Sequence, residues 1–307
     1  MKKIAFIFLI LLVGIIIGFN IATSQRVALM KSTLQDSITR FSMSPSLNTI
    51  ASECEVPFYK FKEGNKRISL IIGHAYGSSR NLNGSISPNV DKYLMKNNLQ
   101  FKEIIFTGDL IHTPSARKWR ALKDMMKNLD IKIKIAPGNH DIGSVDENPS
   151  RDVFFQEFDF NYPYIEKRDS LLMIYLDSTK NPGQIDESIV RMLENSKPSE
   201  NSVFIFSHHI LRPQPHLIAN GLTGHKLDIN NIDVLAKAKK NFKKIYLISG
   251  DSGINYQGVD CLQFQNIFFI SSGINDSDND RALILQDGNL FQSRLLNRKP
   301  LEMRDHL

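Results

Sequence analysis

From about residue 57 the chain alternates two kinds of apolar spacing. Short, largely β-branched runs fall at Ile68–Ile72, Glu103–Thr107, Ile131–Ala136, Leu171–Leu176, Ser202–Ser207, Lys244–Ser249 and Ile267–Ser271. Each has the length of a buried strand. Between several of them apolar residues recur at helical steps. "WRALKDMMKNL" sets Trp119, Leu122, Met126 and Leu129 on one face, and "QIDESIVRML" does the same with Ile185, Ile189, Met192 and Leu193. Those stripes predict core surface. Strand alternating with helix predicts an α/β fold, and "ALILQDGNLFQSRLL", with its Asp-Gly turn, predicts a terminal antiparallel hairpin. The basic run "KAKKNFKK", Lys237–Lys244, follows Ile229, Ile232 and Leu235, and so reads as the solvated side and end of a helix.

The first 56 residues follow a different pattern. Lys2 and Lys3 precede the uncharged run Ile4–Phe19, a charged flank and apolar segment of the kind used for export. Residues 1–23 are therefore expected to form a signal-anchor or transmembrane helix. The lysine flank would stay in the cytoplasm, and everything after residue 22 would lie outside, anchored to the membrane or secreted if the segment is cleaved. Residues 24–56 read as a juxtamembrane helix and linker, and 57–307 as the domain. The net charge of +6 favours anionic partners but is too diffuse to choose among them. Outside the cytoplasm the two cysteines, Cys54 and Cys261, could pair or could never meet; the sequence leaves both open.

Polar residues collect where the strands stop. The first strand ends in Gly73-His74, and the second in "TGDLIH", giving Asp109 and then His112. The third ends in "APGNHD", giving Asn139, His140 and Asp141. The fifth ends in Ser207-His208-His209 and the sixth in "SGDSG", with Asp251. Loops at the carboxyl edge of an α/β sheet converge, so five such endings in order point to one site. Carboxylate, imidazole and amide oxygen together suit divalent zinc, manganese or iron.

The order "GD", "GNHD", "HH" and a glycine-flanked polar residue, each behind a strand, resembles the calcineurin-like metallophosphoesterases over about residues 66–275. "MIYLDS" at Met173–Ser178, followed by Gln184, is similar too. The resemblance implies a sandwich of two mainly mixed β-sheets flanked by helices. It also implies two divalent metal ions (manganese, iron or zinc), or one, and a phosphoric ester hydrolase that activates water for in-line attack. Carried over residue by residue, Asp109, Asn139, His208 and Asp251 would hold one ion. His74 with Asp109 would hold the other, and His112 would compensate for a lost ligand. His140 would be the transition-state donor and Asp141 would orient it. Arg80, His209 and Arg212 are candidate substrate contacts. The chain departs from the family at both ends of the motif set. His74 stands where the family has Asp, Tyr76 where it has His, Asp251 where it has the first His of the last motif, and Gly253 where it has the second.

The function expected is therefore a membrane-anchored, exported phosphoesterase acting on a phosphorylated small molecule, glycan or lipid. The rival reading is a non-hydrolytic metal- or phosphate-binding accessory protein of envelope or polysaccharide assembly. No aromatic and basic interleaving surrounds the site loops, so no nucleic-acid partner is expected.

Overall fold

The computed structural model describes residues 52–61, 68–78, 86–142, 149–199, 201–212, 225–226, 229–252 and 258–295. The expected anchor and most of the juxtamembrane segment lie outside these residues. Among the described residues no helix is long and apolar enough to cross a membrane.

The strands, in chain order, are β1 (Ser52–Glu53), β2 (Ile68–Ile72), β3 (Phe101–Phe106), β4 (Lys132–Ile135), β5 (Tyr164–Arg168), β6 (Leu171–Tyr175), β7 (Ser202–Ser207), β8 (Leu211–Arg212), β9 (His225–Lys226), β10 (Lys244–Ser249), β11 (Gly258–Phe264), β12 (Ile267–Gly273), β13 (Arg281–Gln286) and β14 (Asn289–Arg294). One sheet runs β1-β11-β12-β10-β7-β6-β5 and the other β14-β13-β2-β3-β4, while β8 and β9 form a small parallel pair. The seven-stranded sheet has a parallel centre, β12-β10-β7-β6, with antiparallel strands on both sides, and in the five-stranded sheet the parallel block β2-β3-β4 runs to one edge with antiparallel β13 and β14 on the other side. The expected fold of two mixed sheets with helices is the one found, including the β13–β14 hairpin at Asp287-Gly288.

The pleat explains the unbroken apolar runs. Successive side chains point to opposite faces, so a strand covered on both sides has no polar face to spare. In β2, Leu70 and Ile72 face one side and Ile71 the other. Ile71, Ile105, Met173, Phe204, Phe206, Tyr246, Ile248 and Leu283 fill the space between the sheets. On the outer face of the five-stranded sheet, Leu70, Ile72, Ile104 and Phe106 meet Trp119, Leu122 and Met126 of the helix Ala116–Asn128. On the outer face of the seven-stranded sheet, Ile174, Val203, Ile205 and Leu247 meet Ile189 and Leu193 of the helix Glu187–Asn195, and Leu235 of the helix Ile229–Ala238. The predicted stripes are thus core, each buried aliphatic side chain contributing about 1.5–3 kcal/mol. Ser115 and Asp186 cap the first two of these helices by accepting the N–H groups of Lys118 and Ser188.

Three features differ from the sequence expectation. Residues 52–56, assigned above to the linker, belong to the domain: β1 pairs with β11, Val56 is buried, and Cys54 is bonded to Cys261. The strand β5, "YIEKR", and the strand β11, "GVDCLQF", were not predicted, because β5 is a largely polar edge strand and β11 lies next to an edge, mostly half-buried, with Gly258 and Asp260 interrupting its apolar run.

Candidate metal centre

All five strand endings meet at one end of the sandwich. His74 and Asp109 both take positive φ, 52° and 55°, a left-handed backbone that breaks each chain out of its strand where the site begins. Main-chain hydrogen bonds join the turns: His74 N–H donates to the Gly108 carbonyl (2.9 Å) and Tyr76 N–H to that of Asp109 (3.1 Å). Across the gap, Gly250 N–H and Asp251 N–H both donate to the His208 carbonyl at 3.0 Å. The approach is close enough to require glycine. A β carbon on Gly108 would fall 2.4 Å from the His208 ring, and one on Gly250 would fall 1.8 Å from the Thr107 carbonyl oxygen.

His208 is fully buried and lies at the middle of the cluster. Its Nε2 is 3.0 Å from Asn139 Oδ1, 3.5 Å from Asp109 Oδ1 and 3.7 Å from Asp251 Oδ1. On the far side of Asp109, His74 Nε2 lies 3.9 Å from Oδ2 and is buried without a hydrogen-bond partner. A carbonyl oxygen can only accept, so the neighbours of Nδ1 set the neutral tautomer of His74 and His140. His74 Nδ1 faces the Ile274 carbonyl (2.9 Å), His140 Nδ1 the His112 carbonyl (3.0 Å) and His208 Nδ1 the Thr107 carbonyl (3.3 Å). In their neutral forms His74 and His140 present the Nε2 lone pair, the atom a metal ion binds, whereas His208 faces acceptors at both ring nitrogens, the Thr107 carbonyl at Nδ1 and Asn139 Oδ1 at Nε2.

The electrostatics describe a site short of positive charge. Burial pushes the His208 imidazolium down, but Asp109, Asp251 and Asp141 outweigh it and leave its pKa raised. His74, also buried, has its pKa lowered by desolvation. Burial raises the Asp109 carboxyl, yet His208, His74 and His140 together hold it below its ordinary value. Asp251 is raised, first by burial. Two carboxylates, Asp109 and Asp251, with the His74 and His208 imidazoles and the Asn139 amide oxygen fit a bound divalent cation.

Asp141 corrects the sequence reading. It was expected to orient His140 as part of the catalytic set. Instead its buried carboxylate accepts the N–H groups of Asp109 (2.8 Å), Leu110 (2.9 Å) and Gly138 (2.9 Å), so it fixes the two ligand-bearing turns against each other. It is pushed up to about 7 by burial and by Asp109. His140 is positioned otherwise, by its N–H to Asp109 Oδ1 (3.0 Å) and its ring to the His112 carbonyl. The His112 ring packs on His140 (centroids 4.8 Å) and Tyr76 (5.0 Å), and its Nδ1 is 3.1 Å from Thr113 Oγ1. His209, a candidate substrate contact, faces Ser178 Oγ through Nδ1 (3.1 Å), and its ligand atom lies within 4.8 Å of those of His208 and Asp251. Arg80 and Gly253 lie outside the described residues, as does the Arg212 side chain.

Ser178 is the residue that sequence reasoning missed. Its hydroxyl accepts the N–H groups of His208 (3.2 Å) and His209 (3.1 Å), holding the histidine pair from the neighbouring strand. The only signal was its place at the end of "MIYLDS".

No family model matches the chain. A curated protein of Arcobacter nitrofigilis, named a probable glycerophosphodiester phosphodiesterase, is 32% identical over 125 residues, covering 37% of this chain and 44% of that one. A purple acid phosphatase from yellow lupin (Lupinus luteus) seeds superposes with a TM-score of 0.51 at 12% identity, over 78% of this chain and 53% of that one. The chain spans about half the length of each of these proteins, and the second likeness is one of fold.

Proposed function

We propose that this chain, a calcineurin-like metallophosphoesterase in fold and in motif order, is a metal-dependent hydrolase of phosphate esters. The observation that carries the reading is the convergence of Asn139 Oδ1 (3.0 Å), Asp109 Oδ1 (3.5 Å) and Asp251 Oδ1 (3.7 Å) on His208 Nε2, beside the buried, unpartnered Nε2 of His74. Asp109, Asn139, His208 and Asp251 would hold one divalent ion, manganese, iron or zinc, and His74 with Asp109 would hold a second. Such ions lower the pKa of a coordinated water and polarise phosphoryl oxygens. The protein's own share is positional. Asp141 and Ser178 fix the turns that carry the ligands, and burial around His208 keeps the charges strong by excluding water. His140, at the partly open side, has its Nδ1–H held by the His112 carbonyl, so that in its imidazolium form the ring would pass the Nε2 proton to the leaving-group oxygen and return to the neutral state.

The curated relative's name makes a phosphodiester the first substrate to try, with phosphorylated small molecules, glycans and lipids as the class. In this reading the domain works outside the cytoplasm, tethered to a membrane by the apolar segment Ile4–Phe19. The Cys54–Cys261 bond supports that placement, because disulfides persist in oxidising compartments.

The test uses the full chain loaded with manganese or zinc, scored for ions per chain and for hydrolysis of bis(4-nitrophenyl) phosphate. Bound metal and turnover are expected, both lost in Asp109→Ala and Asn139→Ala. Hydrolysis retained in either variant overturns the assignment. Bound metal without turnover of any ester would leave the accessory, non-hydrolytic role.

A further inference from the structure

We propose that Arg281, Arg294 and Phe58 form a docking surface for an anionic lipid membrane, one that lays the metal-centre end of the domain against the headgroups. The inference rests on the membrane-tethered reading above and adds what that reading lacks, a reason for the centre to face the lipid.

Arg281 and Arg294 are direct cross-strand partners at the open end of the β13–β14 hairpin. Like charges set opposite one another destabilise a sheet, and among the described residues no carboxylate forms an ion pair with either arginine. Arg281 Nη1 donates to the Asp280 carbonyl (3.2 Å), while the Asp280 carboxylate accepts from its own loop, from Asn275 N–H, Ser277 N–H and Ser277 Oγ. The two guanidinium carbons lie 5.9 and 5.6 Å from the centre of the Phe58 ring. That side chain is exposed, although the main chain on both sides of it is pinned. Gln292 N–H donates to the Pro57 carbonyl and Tyr59 N–H to the Gln292 carbonyl, each at 2.8 Å. An exposed aromatic ring held beside two cations that no acid neutralises is complementary to a surface of anionic headgroups.

Its position gives the docking a direction. β13 runs antiparallel to β2 and begins at Arg281, and β14 returns to finish at Arg294, so the pair lies at the end of the sandwich where β2 runs into His74. Phe58 belongs to the stretch 52–61, through which the chain enters the domain. About thirty residues separate the apolar segment Ile4–Phe19 from Ser52, enough to reach roughly 100 Å when extended, so attachment alone does not choose which end of the domain meets the lipid. A second basic surface, Lys240, Lys243 and Lys244, lies where β10 begins, at the opposite end. Docking there would turn the centre away, and Lys244 already lies over the rings of Tyr246 and Phe268.

The experiment uses the full chain with vesicles of phosphatidylcholine alone and of equal parts phosphatidylcholine and phosphatidylglycerol. Flotation reads attachment, and energy transfer from Trp119, the single tryptophan, to a dansyl-labelled headgroup reads how closely the domain lies. Transfer is expected to be higher on the anionic vesicles and to fade at about 1 M salt, where the screening length falls to about 3 Å. Arg281→Gln and Arg294→Gln should each lower the ratio of docked to undocked chains about fivefold. Arg294→Glu should abolish docking and yet raise the melting temperature, because it sets an opposite charge across from Arg281. Lys240→Gln with Lys243→Gln should change nothing, and hydrolysis of bis(4-nitrophenyl) phosphate should be the same in every variant. Equal transfer on the two kinds of vesicle overturns the proposal, as does a loss seen in the lysine variant instead of the arginine ones. A fall in hydrolysis of the soluble ester also overturns it, by making the arginines substrate contacts. If the chain does not float with neutral vesicles, the tether reading fails. Salt-sensitive flotation with anionic vesicles, lost in Arg294→Glu, would then still support the docking surface, and flotation with neither would overturn it.

Discussion

The space between the two sheets ends on one side in an ion-pair cluster and on the other in the candidate metal centre, and the two ends bury charge in opposite ways. Where β2 and β3 begin, Glu103 accepts from Ser69 Oγ (2.5 Å) and from both terminal nitrogens of Arg168. Arg168 also donates to Glu166 through Nε (2.6 Å), and Lys134 reaches Glu166 (3.2 Å) and the Tyr164 hydroxyl (2.8 Å). Two acids face two bases, and the cluster is neutral without help. Where the same strands finish, Asp109 and Asp251 lie with Asn139 Oδ1 around the His208 imidazole, and His74 Nε2 is buried without a hydrogen-bond partner. One sandwich thus shows what a structural charge cluster looks like beside one that needs a cation. Burial is common to both, so burial alone does not separate them; the unmet donor atoms do.

The comparison breaks most sharply at Asp109. Asp109→Asn should lower metal affinity at least a hundredfold and hydrolysis on the order of a thousandfold. The melting temperature of the metal-free protein should not fall, because a buried negative charge beside Asp141 has gone. Metal titration followed by calorimetric melting checks both halves, and a destabilised metal-free protein would mean the two ends are alike.

At the other end, Arg168→Met should cost about 3 kcal/mol in denaturant unfolding by leaving Glu103 buried and unpaired, with no change in metal content per folded chain. Adding Glu103→Leu should restore most of that stability. Failure of the double variant to recover would show that the cluster does more than neutralise itself.

The last expected effect is a pH trend in the stability of the metal-free protein. Asp141 is pushed up to about 7, so between roughly pH 4 and 7 the folded state holds a proton that the unfolded state has released. Stability from this group is therefore full below about pH 4 and falls as pH rises toward 7. Glu166 behaves in the opposite sense. Arg168 holds its carboxyl low, so its contribution is present above the ordinary glutamate range and lost as pH falls below it. Melting curves from pH 4 to 8 should show the neutral-side decline in the wild type and lose it in Asp141→Asn.

The parts that could be read from sequence are those in which local pattern and global position coincide. A buried strand must be apolar until it emerges, so a glycine and a polar residue after such a run mark both the strand end and the site. That is how His74, Asp109, Asn139, His208 and Asp251 were found together. What stayed hidden depends on partners distant along the chain. Glu103 and Arg168 meet across the sheets, yet neither stands out from other charged residues near a strand. Asp141 looks like part of a ligand motif, but its work is on main-chain N–H groups that no residue pattern displays. Whether Cys54 and Cys261 meet was undecidable until β1 was seen lying beside β11.

The pinch at Gly250, where the two sheets touch through backbone at Thr107, has a consequence for mutational screens. Replacing that hydrogen with even a methyl group would wedge the layers apart, so a saturation library should score the position as intolerant as Asp109 while no chemistry occurs there. Sorting the two kinds of intolerance would need a fitness readout that a supplied metal can rescue, which should help a weakened ligand and do nothing for a displaced sheet.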